Sequence, residues 1–212
     1  MAKFITIEGG EGVGKSTFTK KLVEYLNKKN IDVVATREPG GTEAAQRIRE
    51  IFVSPPKGED LHMMTELLLV NAARCQHVEN KIRPSLKEDK WVVCDRYVDS
   101  TMVYQGALGG VDQSCLKTLT EYATRGLMPD LTFVLHAKAE TVFNRIQKRH
   151  AETGEEVSRY DAKGLEFQRN LGQAFLEIAK KDVNRVKVID ADQTPDQVFE
   201  EALTHLNSLS WL

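Results

Sequence analysis

The segment Gly9-Gly10-Glu11-Gly12-Val13-Gly14-Lys15-Ser16 constrains this chain more than any other. It follows the apolar run Phe4-Ile5-Thr6-Ile7 and precedes a helical pattern, and it fits G-x-x-x-x-G-K-[ST] in the required strand-to-helix context. Glycines in such a loop let backbone N–H groups turn inward around a polyphosphate, while the following helix presents its positive end. The candidate nucleotide-binding residues are therefore Gly9, Gly10, Glu11, Gly12, Val13, Gly14, Lys15, Ser16 and Thr17. Lys15 can reach the outer phosphates, and the Ser16 hydroxyl can hold magnesium. A glycine-rich turn that binds nothing would account for the glycines but not for Lys-Ser at this offset.

Composition narrows the context. At 212 residues, 41% apolar and 28% charged, the chain reads as one ordinary globular α/β domain. A net charge of -2 argues against a large nucleic-acid footprint, leaving room for a small anionic substrate held by local arginines. Cys75, Cys94 and Cys115 form no C-x-x-C pair, so neither a disulfide frame nor a zinc site is suggested. The first strand begins almost at the amino terminus, leaving no room for a signal peptide, and no apolar run is long enough for a membrane span. A cytoplasmic protein with no membrane association is the expectation.

Five short β-branched, apolar stretches recur at residues 3–8, 31–36, 91–95, 131–136 and 186–190. Helical patterns separate them, as in Phe18, Leu22, Tyr25 and Leu26, and again in Val142, Phe143 and Ile146. The alternation predicts a five-stranded parallel sheet flanked by helices, a three-layer P-loop NTPase fold. Ligands in such folds lie beyond the carboxyl ends of the strands, and chemistry-bearing residues do follow them here. Asp95 stands where an acid commonly holds a metal's water shell, and Arg96 beside it needs an anion or an internal acid. Arg37 precedes the turn Pro39-Gly40-Gly41, with Thr42 placed to cap the next helix. Arg145 and Arg149 share a helix face, and the segment at about 148–160 is read as a mobile lid, with Arg159 beyond its Gly154. Ser54-Pro55-Pro56-Lys57-Gly58 is read as a loop between helices. No guanine-specific N-K-x-D motif is present.

Taken together, Gly9–Ser16, Thr36–Thr42, Ala72-Ala73-Arg74-Cys75-Gln76, Asp95-Arg96-Tyr97 and Tyr104-Gln105-Gly106 resemble bacterial thymidylate kinase in order and spacing. The resemblance runs from the first strand to the last helix. It implies that ATP with Mg²⁺ phosphorylates dTMP to dTDP, in a homodimer. Lys15, Arg96, Arg149 and Glu11 would be catalytic, and Ser16 and Asp95 would serve the metal. Arg37 and Arg96 would grip the acceptor's phosphate, Arg74 would reach the thymine, Thr101 and Gln105 would lie near the base, and Tyr104 would crowd the sugar's 2′ position. The family often has an aromatic residue before Ala-Ala-Arg, where this chain has Val70. Ser158 stands before Arg159 in place of the usual Asp. A deoxyribonucleoside kinase, with Glu38 as a general base for a hydroxyl acceptor, is one competing reading. A nucleotide-gated binding module without turnover is the other.

Overall fold

A computed structural model describes residues 1–153, 160 and 163–211. Its centre is a fully parallel five-stranded sheet of β1 (Phe4–Glu8), β2 (Val33–Arg37), β3 (Trp91–Asp95), β4 (Leu131–His136) and β5 (Val186–Asp190), in the order β2-β3-β1-β4-β5. All five strands lie within two residues of where the apolar runs place them. β1 sits in the middle, with Ile7 opposite Asp95 on one side and Phe133 on the other. The chain therefore leaves β1 between two neighbours reached by separate crossovers, the crevice where such folds bind ligands.

The helices are α1 (Lys15–Lys28), α2 (Glu43–Val53), α3 (Met63–His77), α4 (Arg83–Lys87), α5 (Val98–Thr101), α6 (Gln113–Thr124), α7 (Ala139–Thr153), α8 (Leu165–Lys181) and α9 (Pro195–Asn207). Residues 54–58 fall in the loop between α2 and α3, as their Pro and Gly content indicates. Side chains alternate across the sheet. Ile5, Ile7, Val93 and Phe133 pack on Phe18, Leu22 and Leu26 of α1 and on Ala202 and Leu206 of α9. Phe4, Val92 and Cys94 face the other layer, against Val78, Ile82 and Tyr97. Both faces being covered explains the unbroken apolar run Trp91–Cys94, all of it buried. β2 is an edge strand, so Val33 and Val34 are only half-buried.

The helix α7 continues through Thr153 and carries Lys148 and Arg149, the first residues of the segment read as a lid, and α8 begins only at Leu165. Residues 154–159 and 161–162 of the expected lid, Arg159 among them, lie outside the described residues.

Candidate active site

The loop after β1 adopts the conformation its glycines permit. Gly9, Gly12 and Gly14 all have positive φ, and a side chain at Gly9 would strike the carbonyl of Leu135. Lys15 opens α1, is 7% exposed, and donates from Nζ to the carbonyls of Gly10 at 2.6 Å and Gly9 at 3.2 Å. Burial, then the nearby Arg96, lowers its pKa. Gly12, Gly14, Lys15, Ser16 and Thr17 line one wall of a cavity whose other walls carry Arg37, Asp95, Arg96, Arg145 and Arg149. The loop carboxylate Glu11 lies between charges, 2.7 Å from Arg96 Nη2 and 3.9 Å from Lys15 Nζ. Lys15 first, with Arg96 and Arg149 also contributing, holds Glu11 well below the usual carboxylate range against the opposing effect of burial. Arg96 thus finds its internal acid in Glu11 rather than in the adjacent Asp95.

Asp95 ends β3 with Oδ1 buried and without a hydrogen-bond partner among the described residues. An orphaned carboxylate oxygen beside the exposed hydroxyls of Ser16 and Thr17 suits magnesium, which takes one or two protein oxygens and fills its shell with phosphate and water. Among the described residues no group of three His, Cys, Asp or Glu could hold a metal unaided. The residues therefore fit an ion that arrives with a nucleotide.

A second, more apolar cavity adjoins the first. Pro39, Phe52, Val53, Val70, Tyr97, Tyr104 and Tyr160 supply its apolar surface, with Arg74, Ser100, Thr101 and Gln105 as polar groups. Glu11, Glu38, Arg49 and Arg96 line both cavities and form the passage between them. Arg74 is 2% exposed and largely committed to the protein. Its Nε donates to Glu38 at 2.7 Å, and its Nη2 to the Tyr97 carbonyl at 3.0 Å and to Thr101 Oγ1 at 2.9 Å. Only Nη1, with one long 3.5 Å contact to Asn71, has hydrogen-bonding capacity to spare for a ligand in the cavity. Glu38 is 3% exposed and also holds His77 Nδ1 at 3.0 Å. A carboxylate so occupied is poorly placed to act as a general base, which removes the main support for a hydroxyl acceptor. Tyr104 packs edge-on against Tyr160 at 4.9 Å and lies 5.3 Å from the Arg96 guanidinium, while burial pushes its hydroxyl up to about 12. Gln105 donates to Glu66 of α3 at 3.2 Å, as does Tyr160 at 2.9 Å. The turn ahead of α2 forms as read: Gly40 and Gly41 have positive φ, and Thr42 Oγ1 accepts from the Ala45 N–H. A side chain at Gly41 would collide with the His77 ring.

The family model for thymidylate kinase matches residues 7–202. The chain belongs to the thymidylate kinase family. The thymidylate kinase of Chromohalobacter salexigens is 41% identical over 211 residues, covering 99% of this chain and 98% of its own. That of Clostridium novyi is 38% identical, covering 93% and 95%. A crystal structure of thymidylate kinase from Ehrlichia chaffeensis superposes with a TM-score of 0.76 at 32% identity, covering 97% of this chain and 98% of that one.

Of the expected site residues of this thymidylate kinase family member, Glu11, Gly12, Gly14, Lys15, Ser16, Thr17, Arg37, Asp95, Arg96 and Arg149 line the first cavity and Arg74, Thr101, Tyr104 and Gln105 the second. Gly9, Gly10 and Val13 shape the loop but line neither, Val13 packing into the core. Sequence reasoning missed Arg49. It projects from α2 into both cavities, is anchored by Nη1 to the Pro39 carbonyl at 2.9 Å, and has its pKa lowered by burial and then by Arg37. Its only sequence signal is its place about two turns beyond the Thr42 cap. Glu8, Glu66 and Tyr160 were also missed, as was Phe52, which lines the second cavity together with Val70.

Proposed function

We propose that the chain transfers the γ-phosphoryl group of ATP to dTMP, forming dTDP and ADP. The observation that carries this reading is the junction of the two cavities at Arg96, Arg49, Glu11 and Glu38, where a donor's outer phosphate and an acceptor's phosphate would meet. The relatives' name points the same way.

An acceptor phosphate oxygen is already ionised at neutral pH, so the site needs no strong base. Its work is to align the two phosphates and offset the charge spread over the transferring group. Lys15 and the loop N–H groups hold the donor, while Arg37, Arg49 and Arg96 hold the acceptor phosphate. Arg149, on α7 above the same cavity, adds positive charge on the donor side and favours ionised Glu11. Arg74, Thr101 and Gln105 read the thymine, and Tyr104 excludes a 2′-hydroxyl. Ser16 and Asp95 would hold magnesium with its water, which when bound neutralises charge on the donor's outer phosphates. A cytoplasmic homodimer belongs to the same reading. Ile51 and Val53 on α2 and Leu68 on α3 are exposed large apolar side chains on neighbouring helices, as a helix-mediated contact would use. No described helix is long and apolar enough to cross a membrane.

The test is ADP release measured with dTMP, dUMP, dCMP and thymidine as acceptors. Turnover is expected to be greatest with dTMP and near background with thymidine, which lacks the phosphate that the junction arginines would bind. Faster turnover with thymidine than with dTMP would overturn the reading.

A further inference from the structure

Glu8 is an acid at a position that a sheet covered on both sides usually fills with an apolar side chain. It is 0% exposed, yet lines neither cavity. Both oxygens engage the turn after β3. Oε1 accepts from the Tyr97 N–H at 2.7 Å and the Ser100 N–H at 3.3 Å, and Oε2 accepts from the Ser100 hydroxyl at 2.6 Å. With its proton committed to Glu8, the Ser100 oxygen turns a lone pair toward Arg96, whose Nη1 donates to it at 3.1 Å. Nη1 also donates to the Gly9 carbonyl at 2.9 Å, so the guanidinium is fixed from two sides.

The backbone carries the same message. Arg96 has φ 69, a region that residues with side chains enter only when the surroundings enforce it. Its own N–H is held by the Ile7 carbonyl at 2.9 Å, and the next N–H, that of Tyr97, is held by Glu8. Two consecutive residues of β1 therefore pin the peptide groups on both sides of the left-handed arginine. We infer that Glu8 is a positioning residue, setting Arg96 through Ser100 and the Tyr97 amide so that the guanidinium meets the acceptor's phosphate. The inference rests on the monophosphate reading above. Burial, then Asp99, raises the Glu8 carboxyl to about 7, so ionising it in this position costs stability. Asp99 is itself neutralised by Arg185 at 2.7 Å.

The test is equilibrium titration of Glu8→Gln, Ser100→Ala and the double variant with dTMP, thymidine and ATP. Each single change is expected to weaken dTMP binding about tenfold, as misplacing one charge-assisted phosphate contact should. Thymidine and ATP should stay within about twofold. The double variant should bind dTMP no more weakly than about the poorer single, because the two residues are links in one chain. Unchanged dTMP binding in Glu8→Gln, or equal weakening for thymidine, would overturn the inference, since a merely structural role would not single out the phosphate. Should Glu8→Gln fail to fold, Glu8→Asp, which keeps the charge but withdraws it by one methylene, takes its place with the same expectation. Wild-type protein binding thymidine as tightly as dTMP would instead overturn the monophosphate reading, and the inference with it.

Discussion

Replacing Lys15 with alanine is expected to lower kcat by about a thousandfold or more. The ammonium is a preorganised point charge, already buried and oriented by the Gly9 and Gly10 carbonyls. Removing one such group from a water-poor site typically costs on the order of 10²–10³ in rate. Lys15 also stands at the start of α1, where the phosphates of a nucleotide would collect both the helix dipole and the loop amides, so its loss affects donor alignment as well. Stability should change little or rise, because burial and Arg96 already disfavour the charge. Steady-state kinetics with saturating ATP, beside a thermal melt, would check this. A folded Lys15→Ala protein with kcat within tenfold of wild type would contradict the role of the loop.

Arg74→Ala is expected to be the most destabilising change in the site. Glu38 and Arg74 are both almost fully buried and 2.7 Å apart, and truncating the arginine leaves the Glu38 carboxylate with the His77 ring as its remaining side-chain partner among the described residues. Breaking a buried pair in this way costs about 3–5 kcal/mol, which for a domain of this size is a fall in Tm of roughly 10 °C. Adding Glu38→Gln should restore part of that loss, because the stranded charge is then removed. A drop in Tm of less than about 3 °C for Arg74→Ala alone would show that the pair is not holding this end of α3. At a temperature where the variant is folded, discrimination between thymine and cytosine monophosphates should also fall, since Arg74 Nη1 is the donor left to face the cavity.

The contrast between these two residues shows what the sequence made legible. Lys15 lies in a contiguous motif whose strand, loop and helix are local, so its place and chemistry followed directly. The strands were visible for a similar reason: short β-branched runs of the right length recur between amphipathic helices. Asp95, Arg96 and Arg37 were legible as residues at strand ends. Arg74 was expected at the base, but its bond to Glu38, 36 residues earlier, depends on how α3 packs beside the end of β2, and no spacing rule reveals that. The same holds for Arg96 meeting Glu11 across 85 residues. Arg49 looked like one of several charges on an amphipathic helix, and only the fold turns it inward. Glu8 was concealed by sitting at the end of an apolar run, where it passed as the strand's polar terminus. The half-buried β2 differs from the interior strands because it lies at the sheet edge, a property of strand order rather than of its own residues.

Nucleotide binding alone does not amount to phosphoryl transfer to a second nucleotide, which only the products reveal. The most direct measurement is product analysis by ³¹P NMR of the wild-type protein incubated with ATP, dTMP and magnesium. The expected result is equimolar ADP and dTDP, accumulating together as dTMP disappears. ADP and inorganic phosphate accumulating while dTMP remains unchanged would contradict it, showing hydrolysis in a nucleotide-gated module instead of transfer.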